Sequence, residues 1–277
     1  MSSAYKPVYK RPALLKEAHF HYCPGCGHGI INRLLMEVIE EMGLADKAIC
    51  VAPAGCGMLL YNYFEIDVIE SAHGRGAAVA TGIKRVLPEN LVFSYQGDGD
   101  LAAIGTAEGF HAANRGENIT VIFVNNGVYG MTGGQMAPTS LIDQVTTTSP
   151  LGRDASLAGH PVRICEVFAV LDGTSYLERV AVNKPAGVVK TKKAIRKAFQ
   201  RQLDGAGFSL VEILSPCPTA WKMGTLESCT WVDDVMSKVF PLGVIKDVVA
   251  GGAAAAAGSP GSGASDAAPP SEEAECS

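Results

Sequence analysis

The sequence lacks any apolar run near the roughly 20 residues that a membrane-spanning helix needs, so no membrane partner is expected. Its first 20 residues, MSSAYKPVYKRPALLKEAHF, contain basic side chains but no apolar core of a secretory signal, and a cytoplasmic protein is the expectation. Basic residues are also in short supply. Lys and Arg total 23 against 28 Asp and Glu, a formal net charge of −5. The acidic excess sits mostly in residues 250–277, which hold Asp266, Glu272, Glu273 and Glu275 and no Lys or Arg. The rest is close to neutral and shows no basic face, which argues against a nucleic-acid partner. Residues 250–277 also lack aromatic and β-branched side chains, so they read as a disordered low-complexity tail, and Cys276 within it is set aside. No internal repeat is visible. There is a single CxxC, Cys23-Pro24-Gly25-Cys26, and the missing second pair weakens a structural zinc site.

What remains is enough for a full core: 277 residues, 47% hydrophobic and 18% charged. Residues 1–20 read as an irregular N-terminal arm, broken by Pro7 and Pro12. Residues 21–249 alternate between the two periodicities. Apolar positions from Ile30 to Met42 form a helical stripe ended by Gly43. Short buried strands are expected over Ala48–Ala52, Leu91–Tyr95, Ile119–Val124, Tyr176–Val182 and Phe208–Leu214, and a weaker one over Glu65–Glu70. Helices are expected over Ala77–Val86, Arg163–Leu171 and Ala186–Leu203, the last with a wet face of Lys and Arg. Strands alternating with helices imply an α/β fold with one doubly wound, mainly parallel sheet.

The centre of this pattern is the stretch from Tyr95 to Gln135. An apolar strand turns through Gly97-Asp98-Gly99-Asp100, a helical segment follows, and a second strand ends at Asn125-Asn126-Gly127. Parallel strands put their C-terminal ends side by side, where open α/β sheets bind ligands. Asp98 and Asn126 thus supply a carboxylate and an amide oxygen, and the Val128 carbonyl a third, to a hard cation such as Mg²⁺ carrying a diphosphate. Gly-Asp-Gly alone is common turn chemistry; its place at a strand end gives it weight. Ala72-His73-Gly74-Arg75-Gly76 opens a helix on the same edge, a ready anion site, with His73 or Arg75 to complement phosphate charge. A locally bonded His73 is the plainer alternative. The loop from Tyr129 to about Ser149 is long for a compact domain. It either lines a channel or orders the surface, and no role is assigned within Gln135–Thr148.

The CxxC by itself admits a thioredoxin-like redox pair, half a zinc site, or part of an iron–sulfur site. Cys56 and Cys217 lie in Gly- and Pro-containing loops at strand ends, on the edge that carries Asp98. Cys50 and Cys165 fall in apolar elements and read as buried thiols. Cys229 has no assignment. Of the histidines other than His73, only His28 has a candidate role, packing near these cysteines, and a structural histidine explains it equally well.

The pattern GDGD…NN followed by Tyr129-Gly130-Met131-Thr132-Gly133-Gly134-Gln135 closely resembles the thiamine-diphosphate-binding β subunit of 2-oxoacid:ferredoxin oxidoreductases. The resemblance runs from about Tyr22 to Val248. It implies the pyrophosphate-domain type of fold for residues 21–249, with Mg²⁺ held by Asp98, Asn126 and Val128. It implies cofactor contacts at Gly55, Cys56, His73, Gly74, Arg75, Gly99, Asp100, Gly130 and Met131. It also implies one [4Fe–4S] cluster on Cys23, Cys26, Cys56 and Cys217, the four thiolates such a cluster takes. The activity implied is CoA-dependent oxidative decarboxylation of a 2-oxoacid, with electrons passing to ferredoxin. The resemblance leans toward branched-chain acids such as 3-methyl-2-oxobutanoate, ahead of 2-oxoglutarate and pyruvate. In this family the carboxylic acid that faces the thiamine pyrimidine comes from a separate α subunit. The chain is therefore expected to supply no catalytic acid and to act only in a complex with α and a ferredoxin-like subunit. Three other functions compete. A non-redox thiamine decarboxylase or carboligase needs no cluster, an electron-transfer module needs no thiamine, and a thioredoxin-like protein needs neither Cys56 nor Cys217.

Overall fold

A computed structural model describes residues 9–248. The tail expected over 250–277 lies outside the described residues, as do residues 1–8 of the arm. The strands are β1 (Ala48–Pro53), β2 (Asp67–Ser71), β3 (Leu91–Gly97), β4 (Thr120–Asn125), β5 (Val128–Tyr129), β6 (Gln135–Met136), β7 (Thr174–Ala181), β8 (Phe208–Leu214) and β9 (Gly243–Asp247). The helices are α1 (His28–Glu41), α2 (Gly76–Val86), α3 (Thr106–Asn114), α4 (Ala155–Ala158), α5 (Ile164–Ala169), α6 (Pro185–Leu203), α7 (Pro218–Trp221), α8 (Thr225–Trp231) and α9 (Ser237–Val239).

Seven strands make one sheet in the order β2-β1-β3-β4-β8-β7-β9, parallel except for β9, which runs antiparallel to β7. Two-sided burial explains why the inner strands read as unbroken apolar runs. Along β4, Ile122 and Val124 face a core built with α1 and α6, while Val121 and Phe123 face a second core built with α2, α3 and α5. The period of two sends neighbours to opposite layers. On α1, Ile31, Leu34, Leu35, Val38 and Ile39 are all buried, a stripe at the helical spacing. Burying each such side chain contributes roughly 1.5–3 kcal/mol.

The chain turns from β1 to β2 on one side and then crosses to β3 on the other. That reversal is a topological switch point, where a crevice opens beyond the strand ends. The strand ends β1, β2, β3, β4 and β8 therefore deliver Cys56, His73, Asp98, Asn126 and Cys217 to one edge.

Three local features differ from the sequence reading. The segment after Gly99 is first a π-helical turn, Asp100–Ile104, and only then α3. The Gly105 amide donates back to the Asp100 carbonyl at 2.8 Å, closing the wider turn. The described part of the arm, residues 9–20, is anchored, with Leu15 bridged to Phe64 and buried in the core. Residues 218–248, without expected elements, form short helices, a second π-helical turn (Val232–Met236) and β9.

Candidate functional site

Asp98 is buried immediately beyond β3. Its Oδ2 accepts from the backbone amides of Asn126 (3.1 Å) and Gly127 (2.6 Å) and from the Thr139 hydroxyl (2.7 Å). Burial outweighs these bonds and pushes its pKa up to about 6. Asn126 and Val128 stand beside it, and the three line a cavity of about 310 Å³, within the range of small-molecule sites. The Val128 amide donates to Asn126 Oδ1 at 3.2 Å, and the Trp221 indole donates to the Asn126 carbonyl at 3.0 Å. A buried carboxylate, an amide and a backbone turn fit an oxygen-ligated cation, because the cation would offset the cost of ionising Asp98 there.

Gly55, Cys56, His73, Gly99, Asp100, Gly130 and Met131 line the same cavity. A Cβ on Gly99 would lie 2.3 Å from the Tyr129 ring, so any larger residue there would have to displace that ring. Asp100 is fully committed. Its Oδ1 accepts from His73 Nδ1 (2.7 Å) and the Gly74 amide (2.6 Å), and its Oδ2 from Gln96 Nε2 (2.5 Å). It holds the 72–76 turn in place, and burial raises its pKa. Two residues of that turn are placed differently from the expectation. Gly74 is not among the cavity-lining residues; it packs below, where a Cβ would meet the Gly105 amide at 2.8 Å. Arg75, expected at the phosphate, ion-pairs with Glu108 of α3 and does not line the cavity. The close approach of Gly74 to Gly105 brings α3 alongside and gives Arg75 that partner.

The four expected cysteines also come together. Cys23, Cys26, Cys56 and Cys217 line a second cavity of about 310 Å³. A Cβ on Gly130 would stand 3.4 Å from Cys56 Sγ and 3.5 Å from Cys217 Sγ, so Gly130 is the floor between them. The Gly27 amide donates to the Pro216 carbonyl at 3.4 Å, seating the Cys23–Cys26 turn on the Cys217 loop. All four are free thiols. Burial pushes Cys26 up to about 11 and Cys56 and Cys217 up to about 12, and their mutual proximity adds to this. Among the described residues no three His, Cys, Asp or Glu side chains converge tightly enough to share one metal ion. The sulfurs surround a space, which fits a multinuclear group better than a single zinc. Cys50 and Cys165 are buried in the two cores. Cys229 lies on α8, its carbonyl accepting from Asn183 Nδ2.

The two cavities share His28, Cys56, Asn126, Gly130 and Met131. His28 is buried in that wall, stacked on Tyr22 and bonded through Nδ1 to the Tyr95 hydroxyl at 2.6 Å. Burial lowers its pKa to about 4, so it is a neutral imidazole. Three contributors escaped the sequence reading. His21 bonds the Tyr63 hydroxyl at 2.7 Å and the Cys56 carbonyl at 3.0 Å, fixing the Cys56 loop. Thr139 holds Asp98. Arg153 is buried and donates to six carbonyls between Ala137 and His160, which gives the Thr139 loop its shape. Only the length and polarity of the 129–149 loop hinted at such a role.

The family described as "Thiamine pyrophosphate enzyme, C-terminal TPP binding domain" matches residues 58–213, which include Asp98, Asn126 and Val128 but none of the four cysteines. Ketoisovalerate oxidoreductase subunit VorA of Methanothermobacter thermautotrophicus is 45% identical over 240 residues, 87% of this chain and 50% of that protein. The chain thus spans about half the length of that relative. The 2-oxoglutarate synthase subunit KorB of Methanocaldococcus jannaschii is 36% identical over 199 residues, 72% of this chain and 69% of that protein. In three dimensions the fold matches a 2-oxoglutarate:ferredoxin oxidoreductase from Magnetococcus marinus, solved with 2-oxoglutarate, coenzyme A and succinyl-CoA bound. The TM-score is 0.73 at 24% identity, covering 88% of this chain and 87% of that one. With a thiamine pyrophosphate domain match over more than half its length and these relatives, the chain belongs to the thiamine-pyrophosphate-binding subunits of the 2-oxoacid:ferredoxin oxidoreductase family.

Proposed function

We propose that this chain is the β subunit of a cytoplasmic, CoA-acylating 2-oxoacid:ferredoxin oxidoreductase. In this reading it holds thiamine diphosphate with Mg²⁺ in the first cavity and a [4Fe–4S] cluster in the second. One observation carries the reading. An oxygen-donor cavity and a four-thiol cavity open on one sheet edge and share a wall. A non-redox thiamine enzyme has use for the first only, and an electron-transfer module for the second only.

When bound, thiamine diphosphate supplies the chemistry that cleaves the bond between the carboxyl and keto carbons of the substrate. The chain's own residues bind, orient and shield. Asp98, Asn126 and the Val128 carbonyl would hold Mg²⁺ against the diphosphate. Asp100 orients His73 and the 72–76 turn. Cys23, Cys26, Cys56 and Cys217 would hold the cluster, and His28 presents an uncharged ring to both cavities. The catalytic acid would come from an α subunit, since the carboxylates that line the first cavity, Asp98 and Asp100, are assigned to the metal and to the His73 turn. A branched-chain substrate, 3-methyl-2-oxobutanoate, is favoured over 2-oxoglutarate and pyruvate. The ketoisovalerate relatives are 45% and 46% identical, and the 2-oxoglutarate relatives reach 36%.

The test is anaerobic purification of the full complex with iron, sulfide and thiamine analysis, then turnover with the three acids, CoA and ferredoxin. The expected result is four iron and four sulfide from this chain's site, with fastest turnover on the branched-chain acid and none by the chain alone. Protein with thiamine but no iron at this site supports a non-redox enzyme and ends the proposal.

A further inference from the structure

One buried feature is not used by either cavity. Arg179 on β7 and Glu212 on β8 are opposite each other in register and completely buried. Arg179 Nε donates to Glu212 Oε2 at 2.8 Å. Its two terminal nitrogens donate to Glu166 of α5 (3.0 and 2.5 Å), and one also to the Pro241 carbonyl (3.1 Å). The other oxygen of Glu212 accepts from Asn125 Nδ2 at 2.8 Å. Asn125 is also fully buried, and its Oδ1 accepts from the Gly127 amide at 3.2 Å. That same amide donates to Asp98 Oδ2 at 2.6 Å. An unbroken polar chain thus runs from the α5 face, through the middle of the sheet, to the carboxylate of the first cavity.

Stability alone is a poor explanation for such a chain. Taking charges out of water carries a desolvation cost that can exceed the attraction between them, and well-packed apolar residues do as well or better. What the chain does provide is direction. A carboxylate accepts only, so Glu212 obliges Asn125 to turn its NH₂ toward β8 and its oxygen toward Gly127. Gly127, at φ +68°, then closes the turn that presents Asn126 and Val128. Without that acceptor, the Asn125 amide is free to rotate and Gly127 loses one of its two partners.

We infer that the Arg179–Glu212–Asn125 chain is a positioning device that sets the 125–128 turn for metal binding. Asn125, Glu212 and Arg179 are positioning residues here; none lines either cavity. The inference rests on the proposed Mg²⁺–thiamine diphosphate site.

The test compares the assembled wild-type protein with Glu212→Gln. Calorimetric titration of Mg²⁺ at fixed thiamine diphosphate gives metal affinity, and thermal unfolding without metal gives stability. A glutamine can donate to Asn125, removing the orientation signal while keeping shape. Metal affinity is expected to fall by roughly 10-fold or more, the scale set by outer-shell partners of metal ligands. Metal-free thiamine diphosphate affinity is expected to change far less. Should Glu212→Gln not fold, Asn125→Ala decides, since it leaves Arg179 paired with both glutamates. Folded variants that bind Mg²⁺ as the wild type does overturn the inference, even if they melt earlier. A wild type that binds no Mg²⁺–thiamine diphosphate overturns the site itself, so the two failures are distinguishable.

Discussion

Most of the chemistry of the first cavity converges on Asp98. It shows both what a sequence discloses about a site and what it leaves out. Its carboxyl titrates near 4 in an unfolded chain and near 6 here, held up by burial. The folded state therefore binds this proton more tightly than the unfolded one. Stability from Asp98 is highest at low pH and declines as pH rises from about 4 to about 6, by about 3 kcal/mol. A bound divalent cation reverses that penalty only where the group is ionised. Added Mg²⁺ and thiamine diphosphate are thus expected to raise the melting temperature more at about pH 7.5 than at about pH 5.5. Equal shifts at both would place the metal elsewhere, and Asp98→Asn should abolish the difference. Asp98 and Asn126 were legible because each follows directly on an apolar strand, with Val128 two residues beyond Asn126, and the sheet edge does the rest. Thr139 was not. It reaches Asp98 from 41 positions away, through a loop ordered by hydrogen bonds from Arg153. The Arg75–Glu108 pair was not legible for a related reason. A cation at a helix start suggests an anion, and the competing partner, Glu108, belongs to another helix.

Among the elements, the parallel strands and long helices follow their periodicity, and Phe208–Leu214 appears with the expected bounds. The parts that shape the site depart from simple periodicity. The loop carrying Thr139 is organised by Arg153, whose guanidinium replaces the hydrogen bonds that a strand or helix would supply. Arg153→Met keeps the bulk and removes those donors. Each buried carbonyl left unpaired costs about 1–3 kcal/mol, so several together are expected to release the loop. Limited proteolysis should then cut between residues 137 and 160 before the rest of the domain, and Mg²⁺ affinity should fall with it. Cleavage no faster than in the wild type would mean that packing alone holds the loop. The wide turn Asp100–Ile104 depends on a different device. A Cβ on Gly105 would lie 2.5 Å from the Asp100 carbonyl oxygen and 2.7 Å from that of Gly74, both backbone atoms with little freedom to move. Gly105→Ala is expected to cost more than the roughly 1–3 kcal/mol of ordinary overpacking and to displace Asp100 and His73 together. A denaturant midpoint unchanged from wild type would show that the turn yields easily. Neither device could be read from the sequence, because each is a contact between segments whose separation only the fold closes.

At the scale of the whole molecule, the sheet does one thing that no single element does. It sets two cavities of different chemistry side by side, with oxygen donors in one and sulfur donors in the other. The thiamine domain match ends before Cys217 and begins after Cys56, so the four thiols of the second cavity come from segments outside that match, while Asn126, Gly130, Met131 and Gly133 of its lining lie within it. This separation makes the two functions experimentally divisible. Cys217→Ser removes one sulfur from the second cavity while leaving Asp98, Asn126 and Val128 in place. The isolated complex is expected to lose iron at this site and its visible absorbance, yet keep bound thiamine and Mg²⁺. It should lose electron transfer to ferredoxin as a result. Cys229→Ser, at a residue that lines neither cavity, is the control and should keep its iron. Because Gly130 floors the space between Cys56 and Cys217 and also lines the first cavity, a small loss of thiamine affinity is tolerable in Cys217→Ser. Complete loss of thiamine is not. It would mean that the two cavities fold as one unit, and that the wall they share is a structural core with no part in passing electrons between bound groups.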